Sequence, residues 1–194
     1  MLKELLKCLI SESRKFAKAG RIFDIILYGS FIRGKQAPRD IDIIIVFLDS
    51  KLEERLKLAQ YFKKELKSKI KKDYELDIKT ANLIDLFESS FLAREGILVE
   101  GYSLLYSCPF AERIGFKGYT LFTYKLKGLT HNEKTKFTYS LIGRNKKGIS
   151  ELTRAKSLGR GAVIVPIENS SIFEDFLKEW KTEYVQYKVL FPLT

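Results

Sequence analysis

Cysteine, histidine, methionine and tryptophan are close to absent from this chain: 194 residues hold two Cys, one His, one Met and one Trp. Cys8 and Cys108 lie far apart, no C-x-x-C occurs, and His131 is the sole histidine. That excludes a zinc site legible in the sequence and argues against a disulfide scaffold. Both thiols read as small buried hydrophobes. Long apolar runs are missing too, none approaching the ~20 residues that span a bilayer, so no membrane partner is expected. The opening MLKELLKCLISESRKF is charged throughout and lacks the apolar centre of a signal peptide, which makes a cytoplasmic protein the expectation. What is plentiful is core material. Hydrophobic residues make up 45% and aromatics 13%, the composition of a folded globular protein.

Acidic residues are scarce in one region. The formal net charge is +11, and residues 125–160 carry ten Lys or Arg against Glu133 and Glu151, a net +8. Charge so concentrated points to a polyanionic partner, with a solvated, solubilising surface as the plainer alternative.

Residues 27–47, LYGSFIRGKQAPRDIDIIIVF, organise the rest. The runs IFDIILY and IDIIIVF are β-branched, short and bounded by turns, the pattern of buried strands. Between them lie a Gly-Ser turn, Arg33-Gly34 and then Asp40-Ile41-Asp42. On a strand Asp40 and Asp42 point to one face and Ile41 and Ile43 to the other. Two carboxylates side by side call for a positive charge between them. Oxygen ligands suit a hard cation such as Mg²⁺ or Mn²⁺, held by one or two carboxylates together with substrate phosphates. The Gly29-Ser30 turn offers backbone N–H groups, a hydroxyl and close approach for a phosphate.

The G-S-F-x-R-G run, the nine residues between Ser30 and Asp40, and the D-I-D are similar to the signature of the DNA polymerase beta-like nucleotidyltransferase superfamily. The stretch DLFESSFLAREGILVEGYSLLY resembles the way the minimal nucleotidyltransferases of that superfamily end their catalytic domain. The resemblance covers about residues 2–106. It implies that Asp40 and Asp42 bridge two metal ions and that Asp77 binds the one serving the acceptor hydroxyl. Glu75, on the same face as Asp77, is the alternative third carboxylate. Ser30 and the N–H groups near Gly29 would hold the terminal phosphates of an NTP, with ATP the expected nucleotide, and Arg33 would neutralise them. Lys35 and Arg39 are either helpers or loop charges.

Taken in order, residues 2–19 read as an amphipathic helix with Leu2, Leu5, Leu6, Leu9 and Phe16 on one face, ended by Gly20. Strands follow at 22–28 and 40–47, with the Ser30–Gly34 turn opening a short helix and Pro38 in the loop. A second helix at 51–71 puts Leu52, Leu56, Ala59, Phe62, Leu66 and Ile70 at helical spacing and ends in lysines, including Lys71 and Lys72. YELDIKTA is a third strand with Glu75, Asp77 and Lys79 on one face. Residues 82–99 read as helix, and Gly101 to Tyr106 closes the unit. Ser107-Cys108-Pro109 marks the expected boundary, dividing the chain into a catalytic domain, 1–107, and a basic acceptor-binding module, 108–194.

Beyond it, GYTLFTYKLKG is β-like, with Tyr119, Leu121 and Thr123 on one face. Thr130-x-x-Glu133 is a capping box for a helix at 131–142 that stops at Gly143. The echo between FTYKLKG and FTYSLIG leaves a hairpin as the alternative. A helix at 149–157, the strand GAVIVPIE, a helix at 171–181 and the strand YVQYKVLF complete a βααβαβ module. The expected fold class is mixed α+β, a nucleotidyltransferase-fold domain with a short mixed sheet and flanking helices plus this module.

The function expected from this is metal-dependent transfer of a nucleoside monophosphate from NTP to an acceptor hydroxyl on a nucleic acid, RNA above DNA. Arg144, Lys146, Lys147, Lys156 and Arg160 are the candidate nucleic-acid contacts. One alternative is an antitoxin-type minimal nucleotidyltransferase acting on a protein acceptor, against which the extra residues and the +8 region argue. Another is a binding protein that keeps the fold without the activity. Nothing resembles the lyase or thumb domains of a templated repair polymerase.

Overall fold

Two isoleucine-rich runs make the centre of the first sheet. In the computed structural model, which describes residues 2–19, 21–32, 40–70 and 74–193, the chain divides into two units, Met1–Gly115 and Phe116–Thr194. Both are mixed α/β, with short sheets and flanking helices. Among the described residues no helix is long and apolar enough to cross a membrane.

The first unit opens with α1 (Leu2–Phe16), followed by β1 (Ile22–Tyr28), a 3₁₀ turn Gly29–Phe31 and β2 (Asp40–Phe47). α2 (Leu52–Lys69) leads into β3 (Glu75–Asn82), then α3 (Arg94–Glu100), β4 (Tyr102–Ser103), β5 (Cys108–Pro109) and α4 (Phe110–Arg113). The sheet order is β3-β2-β1-β4-β5; β2 and β3 run parallel and the other pairs antiparallel. Alternation splits β1 and β2 between two cores. Ile25, Leu27, Ile41, Ile43 and Ile45 bury one face against Leu5, Leu9 and Phe16 of α1 and Phe62 and Leu66 of α2. Ile26, Ile44 and Val46 bury the other against Leu86, Ile97 of α3 and Phe110 of α4. Each such isoleucine contributes roughly 1.5–3 kcal/mol of burial free energy.

Three local expectations need correction. Residues 82–99 do not form one helix: a 3₁₀ turn spans Ile84–Phe87 and α3 begins at Arg94. The Asp85 carboxylate accepts from the Asn82 backbone N–H at 2.7 Å and from Arg55 at 3.2 Å, a local alternative to helix. Leu52 and Leu56, expected on the buried face of α2, are 58% and 47% exposed, because the contact with the sheet is made by Ala59, Phe62 and Leu66 further on. Cys8 and Cys108 are free thiols, half-buried rather than buried. The expectations at Gly20, Arg33, Gly34, Lys35, Pro38, Arg39, Lys71 and Lys72 lie outside the described residues.

The second unit comprises β6 (Phe116–Lys125), α5 (His131–Ile142), α6 (Ile149–Thr153), β7 (Lys156–Gly159), β8 (Ala162–Pro166), α7 (Ser170–Glu179) and β9 (Glu183–Pro192). Thr130 and Glu133 form the full capping box, so the helix is present and the hairpin alternative is not. The helix expected at 149–157 stops at Thr153, where Arg154 turns left-handed with φ 55°, and the chain continues as the strand β7. The sheet, ordered β7-β8-β6-β9 with every pair antiparallel, therefore has one strand more than expected. This is the split β-α-β arrangement called ferredoxin-like. Phe122, Val163 and Val165 turn one face of it to Phe137 of α5 and Phe173, Phe176 and Leu177 of α7.

One buried ion pair ties the first unit's chain to itself. Asp24 is fully buried; its carboxylate accepts from Ile25 N–H and Ser103 Oγ at 2.8 Å each and from Arg113 Nε at 3.0 Å. The Arg113 guanidinium also lies over the rings of Tyr106, at 3.7 Å, and Phe23, at 4.7 Å. Asp24→Ala strands a partly buried cation and should cost about 3–5 kcal/mol in urea unfolding. Burial pushes the Asp24 carboxyl above the usual carboxylate range, outweighing the help of Ser103, Ile25 and Arg113. The native state thus keeps this proton to higher pH than the unfolded chain. Stability from it is fully present below the ordinary carboxylate pKa and is lost as pH rises through the folded value. Relative to Asp24→Asn, wild-type stability should fall as pH rises from the ordinary carboxylate range through the raised value of the buried Asp24 carboxyl.

Candidate active site

The candidate residues gather at one end of the first sheet, on the face of its smaller core. Register pairs Tyr28 with Asp42 and Asp42 with Asp77, and the next row pairs Asp40 with Glu75. Because β2 and β3 are parallel and in step, Asp40, Asp42, Glu75, Asp77 and Lys79 all point to this face. The apolar cover over Ile26 and Ile44 gives way here to a polar margin. Asp40 is exposed, while Asp42 and Asp77 are half-buried.

Gly29 follows β1 directly and takes φ 79°, a left-handed conformation. A Cβ built on it would overlap Asp42 Oδ2. Glycine is therefore needed twice, for the turn and for the carboxylate that rests against it. Ser30 is half-buried in the 3₁₀ turn beside it. Arg33 lies outside the described residues.

Two residues without an assigned role in the sequence belong to the same cluster. Lys79 Nζ lies 3.3 Å from Asp77 Oδ2, and Tyr28 Oη is buried without a hydrogen-bond partner among the described residues. Burial first, and then the charges of Asp42 and Asp77, push the Tyr28 phenol up, opposed by Lys79. Lys79 in turn is raised by Tyr28 and by its contact with Asp77, so at neutral pH it is an ammonium and Tyr28 keeps its proton. The signal for Lys79 was its alternation with Asp77; for Tyr28 it was its place just before the glycine.

Does this set fit a divalent cation? Among the described residues no three His, Cys, Asp or Glu side chains are arranged to hold a metal ion. Asp77 is turned to Lys79, and Asp40 stands one row out from Asp42. What the margin offers is a pair, Asp42 and Asp77, with a glycine cradle and an orphaned buried hydroxyl beside it. An all-oxygen pair of that kind fits Mg²⁺, which commonly keeps waters and shares substrate phosphates rather than filling a protein cage.

The proposed nucleic-acid contacts fall on different elements. Arg144, Lys146 and Lys147 lie in the loop after α5, closed by a Gly143–Lys147 bridge; Arg144 sits 4.9 Å over Tyr139 and Lys147 pairs with Glu151 at 2.7 Å. Lys156 is on β7, in register with Ile164, and Arg160 is in the turn from β7 to β8.

A protein-family model described as "Family of unknown function (DUF6932)" matches residues 3–96, the stretch that holds Gly29, Ser30, Asp40, Asp42 and Asp77. No curated protein matches the chain. Among solved structures, a toxin–antitoxin complex with AMP-PNP is similar at 23% identity and a TM-score of 0.36, over 49% of this chain and 71% of that one. Two mutant forms of the toxin–antitoxin pair MntA-HpeT are similar at 19% and 22% identity, each with a TM-score of 0.35. These cover 49% and 52% of this chain and 70% and 73% of theirs. Likeness at those scores decides neither fold nor activity.

The Gly29–Asp42 contact is directly testable. Gly29→Ala should cost about 1–2 kcal/mol for the left-handed backbone alone, with a further penalty for displacing Asp42. Asp42→Ala in the Gly29→Ala background should recover that second part. Urea unfolding of the two single variants and the double should give a coupling beyond ~0.5 kcal/mol; additive effects would mean that the carboxylate does not rest on the turn.

Proposed function

We propose that the chain is a metal-dependent nucleotidyltransferase that moves a nucleoside monophosphate from an NTP, ATP first among candidates, to an acceptor hydroxyl. One observation carries this: Asp42 and Asp77 stand in register on adjacent strands, with Asp42 against the Gly29-Ser30 turn. The resemblance to the DNA polymerase beta-like superfamily, carried by G-S-F-x-R-G, the spacing from Ser30 to Asp40 and the D-I-D, supports it. A bound Mg²⁺ or Mn²⁺ would supply charge neutralisation to the phosphates and lower the pKa of the acceptor hydroxyl.

The chain's own groups do the remaining work, which in phosphoryl transfer is mainly positioning and electrostatics. Asp40, Asp42 and Asp77 provide the negative charge that holds the cation. The N–H groups around Gly29 and the Ser30 hydroxyl orient the terminal phosphates, helped by Arg33, whose fork matches phosphate oxygens. Lys79 is the resting counter-ion of Asp77, keeping that carboxylate from facing Asp42 unpaired. Tyr28 keeps its proton and serves as a buried hydrogen-bond donor at the margin. A nucleic-acid acceptor is supported by the basic second unit and the +8 carried by residues 125–160.

Purified protein incubated with labelled ATP, CTP, GTP and UTP, with total RNA or a protein pool, tests this. Transfer should require Mg²⁺ or Mn²⁺ and stop with chelator. Asp40→Asn with Asp42→Asn should remain folded, because removing like charges relieves repulsion, and should lose transfer; unchanged transfer would end the assignment. Asp77→Asn should lower kcat with little change in NTP affinity, whereas Ser30→Ala should mainly weaken NTP binding. Label appearing on protein rather than RNA would move the acceptor to a protein hydroxyl.

A further inference from the structure

The second unit's sheet has two apolar faces, and its helices cover one. On the other face register lines up Thr123 with Ala162 and Val185, Leu121 with Ile164 and Tyr187, and Tyr119 with Pro166 and Val189. None of these side chains belongs to a buried cluster. Val185, Tyr187 and Phe191 are 52%, 54% and 43% exposed. Ile164 and Pro166 of β8 are buried, so the open part of this face is its β9 side, and an exposed apolar strip of that kind calls for an occupant.

Charge says which. Lys117, Lys125 and Lys156 share the face, Glu183 is its acid, and Arg160 stands in the adjoining turn. Among the described residues none of these four cations is in an ion pair. A second copy of the chain, docking like face to like face, would bring lysine rim against lysine rim, which is unfavourable. A polyanion with flat apolar groups suits both features at once. Tyr119 lies between Tyr187 and Phe191, meeting Phe191 edge-on at 5.5 Å, and Lys117 Nζ lies 5.9 Å over the Tyr119 ring. Tyr187 and Phe191, on one side of a single strand, stand about 13 Å apart along it. Where β6 ends and β9 begins, a concavity of about 410 Å³ opens, lined among others by Lys125, Arg160 and Tyr184.

We propose that this helix-free face binds single-stranded nucleic acid, bases stacking on Tyr119, Tyr187 and Phe191 while Lys117, Lys156 and Arg160 hold phosphates. Base–aromatic stacking tolerates any sequence, and paired bases in a duplex cannot reach it. The proposal deepens the acceptor side of the function proposed above and rests on it; binding is measured without NTP or metal, so either can fail while the other stands.

The experiment uses the whole chain in EDTA, with fluorescein-labelled single-stranded and duplex oligonucleotides of twelve nucleotides, read by anisotropy across a salt series. Wild type should bind the single strands saturably and prefer them to duplex. Tyr187→Ala and Phe191→Ala should each weaken binding about 5- to 150-fold, with circular dichroism unchanged. Tyr187→Phe keeps a ring and should bind as wild type, so loss follows the ring and not the fold. Lys117→Gln with Lys156→Gln should flatten the log–log salt slope by about 1.4. The proposal falls if wild type ignores single strands at low salt, if the alanine variants bind unchanged, or if duplex binds equally well. It falls equally if sedimentation finds a dimer that Tyr187→Ala dissolves, since the face then belongs to a second copy.

Discussion

The register of β2 on β3 is the constraint from which the candidate site follows. Ile41, Ile43 and Ile45 belong to the core under α1 and α2, so the even positions Asp40 and Asp42 must face the other way. β3 obeys the same rule through Leu76 and Ile78, and the two strands being parallel and in step makes Asp42 meet Asp77. A slip of one residue would turn the isoleucines out and the carboxylates into the core. Burying even one unpaired carboxylate costs several kcal/mol, so the apolar core enforces a close approach that the two acids alone would resist. The same register sets Asp42 against the glycine turn that ends β1.

That face of the sheet holds two polar arrangements solved in opposite ways. Asp24 is sealed, with donors from β1, β4 and α4 converging on it, and its partner Arg113 brings α4 and hence Phe110 onto the smaller core. At the margin, Asp77 meets a lysine whose ammonium is mostly exposed, and Tyr28 keeps an unmet donor. Sealing suits a strut. A margin left with exchangeable partners suits a place where something charged arrives and leaves.

Much of this was legible because it rests on patterns that tertiary contacts reinforce. The β-branched runs gave β1, β2 and β3 within a residue or so, and the capping box at Thr130 placed α5. The two misread elements share a cause: a single side chain or dihedral overrode a stretch's average preference, as Asp85 did at 82–93 and Arg154 did before β7. Alternation assigned Lys79 to the face of Asp77, but a pattern names a face and not a neighbour, so its contact with Asp77 and the nearness of Tyr28 needed coordinates. For the same reason Tyr119 and Leu121 were seen to share a side while the exposed row they make with Tyr187 was not.

The split topology of the second unit also governs the order in which it can assemble. β6 is an inner strand, yet neither of its neighbours follows it directly: β8 arrives after two helices and a strand, and β9 after a third helix. Phe116 pairs with Pro192, so the sheet closes only when distant parts of the chain meet. Loop-closure entropy must be spent before those contacts repay it, and folds of this kind assemble more slowly than helical bundles of equal stability. Until β9 docks, β6 presents a bare, two-faced apolar edge, and the lysines along that unit keep such intermediates apart by mutual repulsion.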